Sequence, residues 1–216
     1  IYMEFTRSII PQLSRDLERK MVFLAGPRQC GKTTIALSLV DDRTTHYLNW
    51  DIPEHRETIL KQIWPTRAGT LALDEIHKYS RWRALLKGLY DQRHSDLKIL
   101  VTGSAKLGIY HYGGDSLQGR YYLHRLHPLS VAELGIESQS ELENLLELNG
   151  FPEPFFSNSK LEQQRWSRQY RSLLVREEIR DLEQVTELGL LEHLALRLPE
   201  LVASPLSLNS LRQDLQ

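Results

Sequence analysis

Residues 21–34 constrain this chain more than any other stretch. Met21-Val22-Phe23-Leu24-Ala25 is a short apolar run, and Gly26-Pro27-Arg28-Gln29-Cys30-Gly31-Lys32-Thr33-Thr34 follows it directly. The first five residues read as a buried strand, and Ile35, Ala36, Leu39 and Val40 continue at helical spacing. A G-x-x-x-x-G-K-[ST] loop between a strand and a helix is a P-loop, a cradle for a polyphosphate. Such an anion needs many donors converging on a small volume that no side chain fills. Gly26 and Gly31 allow backbone conformations that turn successive N–H groups inward, and the helix opening at Lys32 directs its unpaired amides at the same point. Lys32 adds an ammonium for the β- and γ-phosphates, and Thr33 adds a hydroxyl for Mg²⁺. A fortuitous glycine-rich turn would not come with both the strand and the helix. Gly26 to Thr34 is therefore the expected nucleotide-binding set.

The second chemical signal is Thr70-Leu71-Ala72-Leu73-Asp74-Glu75, an apolar strand that ends in two carboxylates about 40 residues after Lys32. Alone, such a pair reads equally well as a solvated cap. On its own strand after a P-loop, it suits a division of labour: Asp74 for the metal, through water, and Glu75 to orient and polarise an attacking water. Lys98-Ile99-Leu100-Val101-Thr102 is a further buried strand and ends in Gly103-Ser104, which makes Ser104 a candidate sensor of the γ-phosphate, with a turn serine as the plain alternative. Arg120 stands where a loop enters the strand Tyr121-Tyr122-Leu123-His124. It is a candidate to reach a γ-phosphate, in its own subunit or a neighbour's, or else an ordinary surface charge.

Periodicity fills in the rest. Ile9, Ile10, Leu13 and Leu17 predict a helix before the P-loop strand, Thr45 to Asn49 a second strand, and Glu54 to Ile63 a helix closed by Pro65. Trp82, Leu85, Leu86, Leu89 and Tyr90 fall within about 140° of a helical wheel and predict a core stripe. Lys106 to Gly119 reads as a glycine- and tyrosine-rich loop. After Ser130 helices replace strands: Leu142, Leu145, Leu146 and Leu148 share one, residues 151–156 read as a stiff apolar turn, and Lys160 to Val185 reads as a long helix. In that helix Arg165, Arg168, Arg176 and Arg180 form a stripe whose interleaved acids favour a solvated, ion-paired face. The segment 205–211 looks like the start of a helix-turn-helix unit. His124 and His127 are joined by no cysteine or carboxylate constellation, so no transition-metal site is expected.

At 216 residues the chain holds one sizeable α/β domain and part of a second. Lysine and arginine total 27 against 28 acidic residues, a net charge of −1, which excludes a bulk polyanion-binding surface and confines any nucleic-acid contact to a local patch. A single cysteine excludes an internal disulfide and fits a reducing compartment; the expected location is cytoplasmic. No apolar run approaches the roughly 20 residues that span a bilayer, so membrane insertion is not expected. Ile1-Tyr2 precede a Met3 that reads as a start, and Gln216 falls inside a helical pattern, so the full protein is expected to extend further.

Gly-Pro-Arg-Gln-x-Gly-Lys-Thr at 26–33, Leu-Asp-Glu-Ile at 73–76 with Trp82 after it, Thr-Gly-Ser at 102–104, Gly-Arg at 119–120 and Leu-x-Pro-Leu-Ser at 126–130 together resemble the AAA-like prokaryotic ATPases. The resemblance covers nearly the whole chain; Gly-Phe-Pro-Glu at 150–153 and Arg-Asp-Leu at 180–182 carry it more loosely into the C-terminal part. It implies a three-layer α/β P-loop core with a parallel sheet in the order 5-1-4-3-2, over residues 1–135. It further implies that residues 136–216 are mostly helical and begin a domain containing a winged helix. The ligands it implies are ATP and Mg²⁺, with Asp74, Glu75 and Ser104 in the roles above. The expected activity is ATP hydrolysis that drives a conformational change in the C-terminal module, with a homo-oligomer and a protein or DNA partner as open prospects. The competing class is a slow-turnover, ATP-dependent switch that binds DNA or a protein. A helicase, suggested by the Asp-Glu-Ile-His run at 74–77, needs two tandem cores where this chain has room for one.

Overall fold

The computed structural model describes residues 6–42, 46–64, 69–94, 96–104, 117–175, 188–203 and 205–214. Most of the predicted loop from Lys106 to Gly119 lies outside them, as do Thr45, Pro65, Arg176 and Arg180. The chain divides into two compact units, Ile1–Glu143 with Gly150–Glu153, and Asn144–Asn149 with Pro154–Gln216.

The first unit is a five-stranded parallel sheet with helices on both faces. Its strands are β1 (Met21–Ala25), β2 (Tyr47–Asn49), β3 (Gly69–Asp74), β4 (Leu97–Gly103) and β5 (Tyr121–Arg125). From one edge they run β2-β3-β4-β1-β5, which is the expected 5-1-4-3-2 counted from the other. Successive strand residues point to opposite faces, and here both faces are covered, so β1 is buried along its whole length. Met21 and Phe23 pack with Leu71, Leu73, Ile99 and Val101 against Ile59 of α3 (Pro53–Leu60) and against Trp82, Leu86 and Leu89 of α4 (Trp82–Gln92). Val22 and Leu24 pack with Ala72 and Leu100 against Leu13 and Leu17 of α1 (Ile10–Leu17) and Ile35 and Ala36 of α2 (Lys32–Leu39). The stripe foreseen on α4 is thus core, with Leu85 and Tyr90 at its rim.

Register lines up the strand tips. Ala25 pairs with Gly103, Asp74 with Thr102 and Asn49 with Asp74, so the C-terminal ends of β1, β4, β3 and β2 form one row. After β1 the chain crosses to the far edge and returns, so it leaves the neighbouring strands β1 and β4 in different directions, the usual ligand position in such sheets.

Two local expectations differ from the structure. α3 stops at Leu60 rather than Ile63, because Gln62 takes a left-handed φ of 54° and the amides of Gln62 and Ile63 return to the carbonyls of Ile59 and Thr58. That is a Schellman ending, here without the glycine that usually announces one. Residues 152–157 form a short helix, not a turn: Pro152 starts it with a preset φ, and Pro154 falls in the first turn, where no amide partner is needed. In the helix Gln139–Leu148, Leu145 and Leu148 are buried while Leu142 and Leu146 are exposed. The second unit is helical, with Lys160–Leu173, Leu188–Arg197 and Leu208–Asp214 as its main elements and Trp166 stacked on Tyr170 at 4.6 Å. Arg165 pairs with Glu162 on an exposed face. Among the described residues no helix is long and apolar enough to cross a membrane.

One buried charge ties the first unit together. Arg7 donates to the carbonyls of Cys30 and His127 at 2.8 and 2.7 Å and to Glu133 Oε1 at 2.9 Å. Glu133 belongs to the short helix Val131–Leu134, where it also completes a capping box with Ser130. Burial alone would raise the Glu133 carboxyl; the Arg7 guanidinium and the Ser130 and Ser8 donors overcome that and hold it at about 2. A carboxyl lowered from its usual 4.5 stabilises the fold fully above pH 4.5, and that contribution is lost as pH falls toward 2. Glu133→Gln is expected to destabilise the protein by about 3 kcal/mol near neutrality, since it strands the buried Arg7 charge. In urea melts across pH, the gap between wild type and variant should be constant above 4.5 and narrow below it; a gap independent of pH would show that the pair carries no charge-dependent stability.

Candidate functional site

The P-loop leaves β1 at Gly26 and closes on α2. Gly26 has no room for a side chain, because a Cβ there would lie 2.4 Å from the Leu126 carbonyl oxygen. Gly31 is needed for a different reason: its φ is 99°, in the left-handed region, and it stands at the N-cap of α2 without any side chain to cap it. Gln29 also has a positive φ, 61°, and is exposed. Arg28 is half-buried, and Cys30 is buried, its thiol pushed up by burial against the lowering charges of Lys32 and Arg7. Lys32 is buried and its ammonium donates to the carbonyls of Gly26 and Pro27 at 2.9 and 2.8 Å. Thr33 and Thr34 are exposed on the first turn of α2.

Asp74 is brought directly to this loop. Its Oδ2 accepts the Thr33 hydroxyl at 2.9 Å and the Tyr47 hydroxyl at 2.7 Å, while Oδ1 accepts Thr102 Oγ1 at 2.5 Å. Burial, the hydrogen bond to Asp74 and its negative charge push the Tyr47 phenol up, which keeps it a protonated donor. Asn49 Nδ2 donates to the same phenol oxygen at 3.2 Å. The donors on Thr33 and Asp74 are hard oxygens on adjacent elements, a set that fits Mg²⁺, an ion that retains several waters.

Glu75 follows in a left-handed conformation, φ 57°, with its amide donating to the Thr102 carbonyl at 2.9 Å. Burial raises its carboxyl, Lys78 opposes the rise, and the Asp74 charge adds to it. Lys78 Nζ stands 3.5 Å from Glu75 Oε2 and donates to Asp51 Oδ2 at 2.5 Å. His77 Nε2 lies 3.7 Å from Glu75 Oε2 and 3.4 Å from Ser104 Oγ, so Ser104, buried at the tip of β4, is joined to Glu75 through one imidazole.

Arg120 is the residue that the structure does not bring to the group. Its carbonyl accepts from the amide of Met21, the first residue of β1, and Met21 pairs with Tyr121. The P-loop begins at the other end of β1, about 16 Å away at 3.3 Å per residue. Its guanidinium pairs with Asp91 at 2.9 Å. The expectation that Arg120 reaches a γ-phosphate in its own subunit is corrected accordingly. Sequence reasoning missed Tyr47, Thr102 and Arg7. A hydroxyl residue one place before Gly103 gave a faint signal for Thr102, and nothing local marked Tyr47 or Arg7.

A family model described as an AAA domain matches residues 18–135. Two curated proteins, both described as uncharacterised, one from Mycobacterium bovis and one from Mycobacterium tuberculosis, are each 26% identical over 182 residues, covering 83% of this chain and 40% of theirs. The chain thus spans about two-fifths of the length of the curated relatives it matches. Among solved structures, a DNA polymerase III gamma-subunit-related protein from Thermotoga maritima aligns with a TM-score of 0.43 and 10% identity, over 86% of this chain and 66% of that one.

Gly26→Ala is expected to push the loop off Leu126, lowering stability by about 1–3 kcal/mol and weakening nucleotide binding in a fluorescent-nucleotide titration. Gly88→Ala, in α4 with nothing within 4 Å of the added Cβ, serves as the control and should be neutral or stabilising. Equal behaviour of the two variants would contradict the close-approach argument.

Proposed function

The chain belongs to the AAA-domain family over residues 18–135, and from that premise we propose that it binds ATP with Mg²⁺ and hydrolyses the γ-phosphate to move the helical second unit, Asn144–Asn149 with Pro154–Gln216. The observation that carries the reading is the hydrogen bond from Thr33 to Asp74, which joins the P-loop helix to the acidic strand tip. In this reading the amides of residues 26–34 and the Lys32 ammonium hold the phosphates, and Thr33 and Asp74 hold the ion. Mg²⁺ would supply charge neutralisation on the phosphate oxygens. Glu75 orients a water for in-line attack: the water oxygen bonds the γ-phosphorus, the bond to the bridging oxygen breaks, ADP leaves, and a proton from the water passes to Glu75. Its raised carboxyl supports that part, since a stronger base takes the proton more readily. Ser104, buried after β4, is the sensor of the γ-phosphate in this reading. What the helical region acts on, a protein or DNA, is open to direct binding assays.

Arg120 is assigned no part in its own subunit's site. Its guanidinium pairs with Asp91 at the far end of β1, and no catalytic part is proposed for it.

Glu75→Gln should retain ATP affinity within a few-fold and lose turnover by about 10²–10⁴ in a steady-state phosphate-release assay. Parallel loss of binding and turnover would make Glu75 structural, and a wild type limited to a single turnover would favour the slow switch. Arg120→Ala should leave the rate per chain unchanged across protein concentrations; a rate that falls with the variant and depends on concentration would restore it as a residue acting across subunits.

A further inference from the structure

The Asp74 carboxylate carries more hydroxyl donors than ion coordination needs. A carboxylate offers about four acceptor positions. Thr33 and Tyr47 take two on Oδ2, and Thr102 takes one on Oδ1. One acceptor direction is left. The phenol is itself oriented, because Asn49 Nδ2 donates to its oxygen and so turns its proton toward Asp74. Tyr47 and Asn49 sit on β2, which pairs with β3 through Tyr47↔Ala72 and Asn49↔Asp74. The donor chain therefore runs along the ladder that carries the carboxylate. Tyr47 and Asp74 are both buried, so water does not compete freely for these positions.

Resting on the ATPase reading, we infer that Tyr47 is a positioning residue for the metal ion: held by Asn49, it locks the Asp74 carboxylate into one orientation with a single free acceptor direction, and this sets both the affinity for Mg²⁺ and the preference for Mg²⁺ over Ca²⁺. The physical reason lies in the two ions. Mg²⁺ demands near-octahedral geometry and holds its waters tightly, so a fixed carboxylate that accepts from one ion-bound water suits it. Ca²⁺ takes six to eight oxygens in looser arrangements and gains when a carboxylate is free to turn and bind through both oxygens. Partners that orient a metal-binding carboxylate typically change metal affinity by 10–100-fold when removed. Tyr47→Phe removes one hydroxyl and keeps the ring.

The test uses the whole chain and a non-hydrolysable ATP analogue. Nucleotide binding is titrated in EDTA, then against Mg²⁺ and against Ca²⁺, for wild type and Tyr47→Phe, with thermal unfolding alongside. The expected result is unchanged analogue affinity in EDTA, a Mg²⁺ half-saturation raised about 10-fold, and a smaller Mg²⁺-to-Ca²⁺ ratio. A Mg²⁺ half-saturation within two-fold of wild type, or an equal loss of affinity in EDTA, overturns the inference. Should Tyr47→Phe fail to fold, Asn49→Ala leaves the phenol in place but releases its proton's direction; the same rise supports the inference and an unchanged value overturns it. A wild type whose nucleotide binding ignores Mg²⁺ would instead overturn the ATPase reading on which the inference rests.

Discussion

The hydrogen bond between Thr33 and Asp74 is the contact on which the rest of the site depends. It spans two layers of the fold, from the first turn of α2 to the tip of β3, and it fixes the distance between an amide cradle and a carboxylate pair. Neither end moves easily. α2 is held by Ile35 and Ala36 in the core, and β3 is buried from Thr70 to Asp74. Close packing of this kind makes the position of a side chain a property of the whole sheet, because interiors at crystal-like density do not yield locally.

Around that contact three buried charged side chains are met by polar partners. Asp74 is met by three hydroxyls, Arg7 by two carbonyls and a carboxylate, and Lys32 by two carbonyls. A buried charge without such partners would cost several kcal/mol, so each set also works as a clamp. Arg7 clamps the loop from the N-terminal side, where it ties Cys30 to the segment after β5. The loop's shape therefore depends on residues more than 100 positions apart in the chain.

What the sequence revealed, and what it hid, follows from how far each feature's cause extends. The P-loop, the Asp74 strand tip and Ser104 were legible because each sits where a strand leaves the sheet, and the apolar run before it marks that point. Arg120 was misplaced for a topological reason. In an all-parallel sheet a residue that enters a strand lies at the opposite end from residues that leave one, and Arg120 enters β5 while Gly26 leaves β1. Tyr47 was hidden because its ring starts beside Ala72 and its hydroxyl reaches Asp74 two residues along, a relation set by register alone. The end of α3 was hidden because Gln62 adopts a conformation that glycine usually announces. Glu133 stood in plain view as the last residue of a Ser-x-x-Glu box, but its partner Arg7 lies 126 positions away.

The measurement closest to the central claim is equilibrium binding of ATP, in the presence of Mg²⁺, to wild type and to Lys32→Ala by isothermal titration calorimetry. Lys32 contributes a full positive charge to the cradle, and a charged hydrogen bond lost there is worth about 1.5–3 kcal/mol, roughly a 10- to 150-fold weakening. The account predicts saturable binding to wild type with one site per chain and a loss of that size in the variant, with both proteins equally folded. Identical affinities, or no heat of binding to wild type at all, would contradict it.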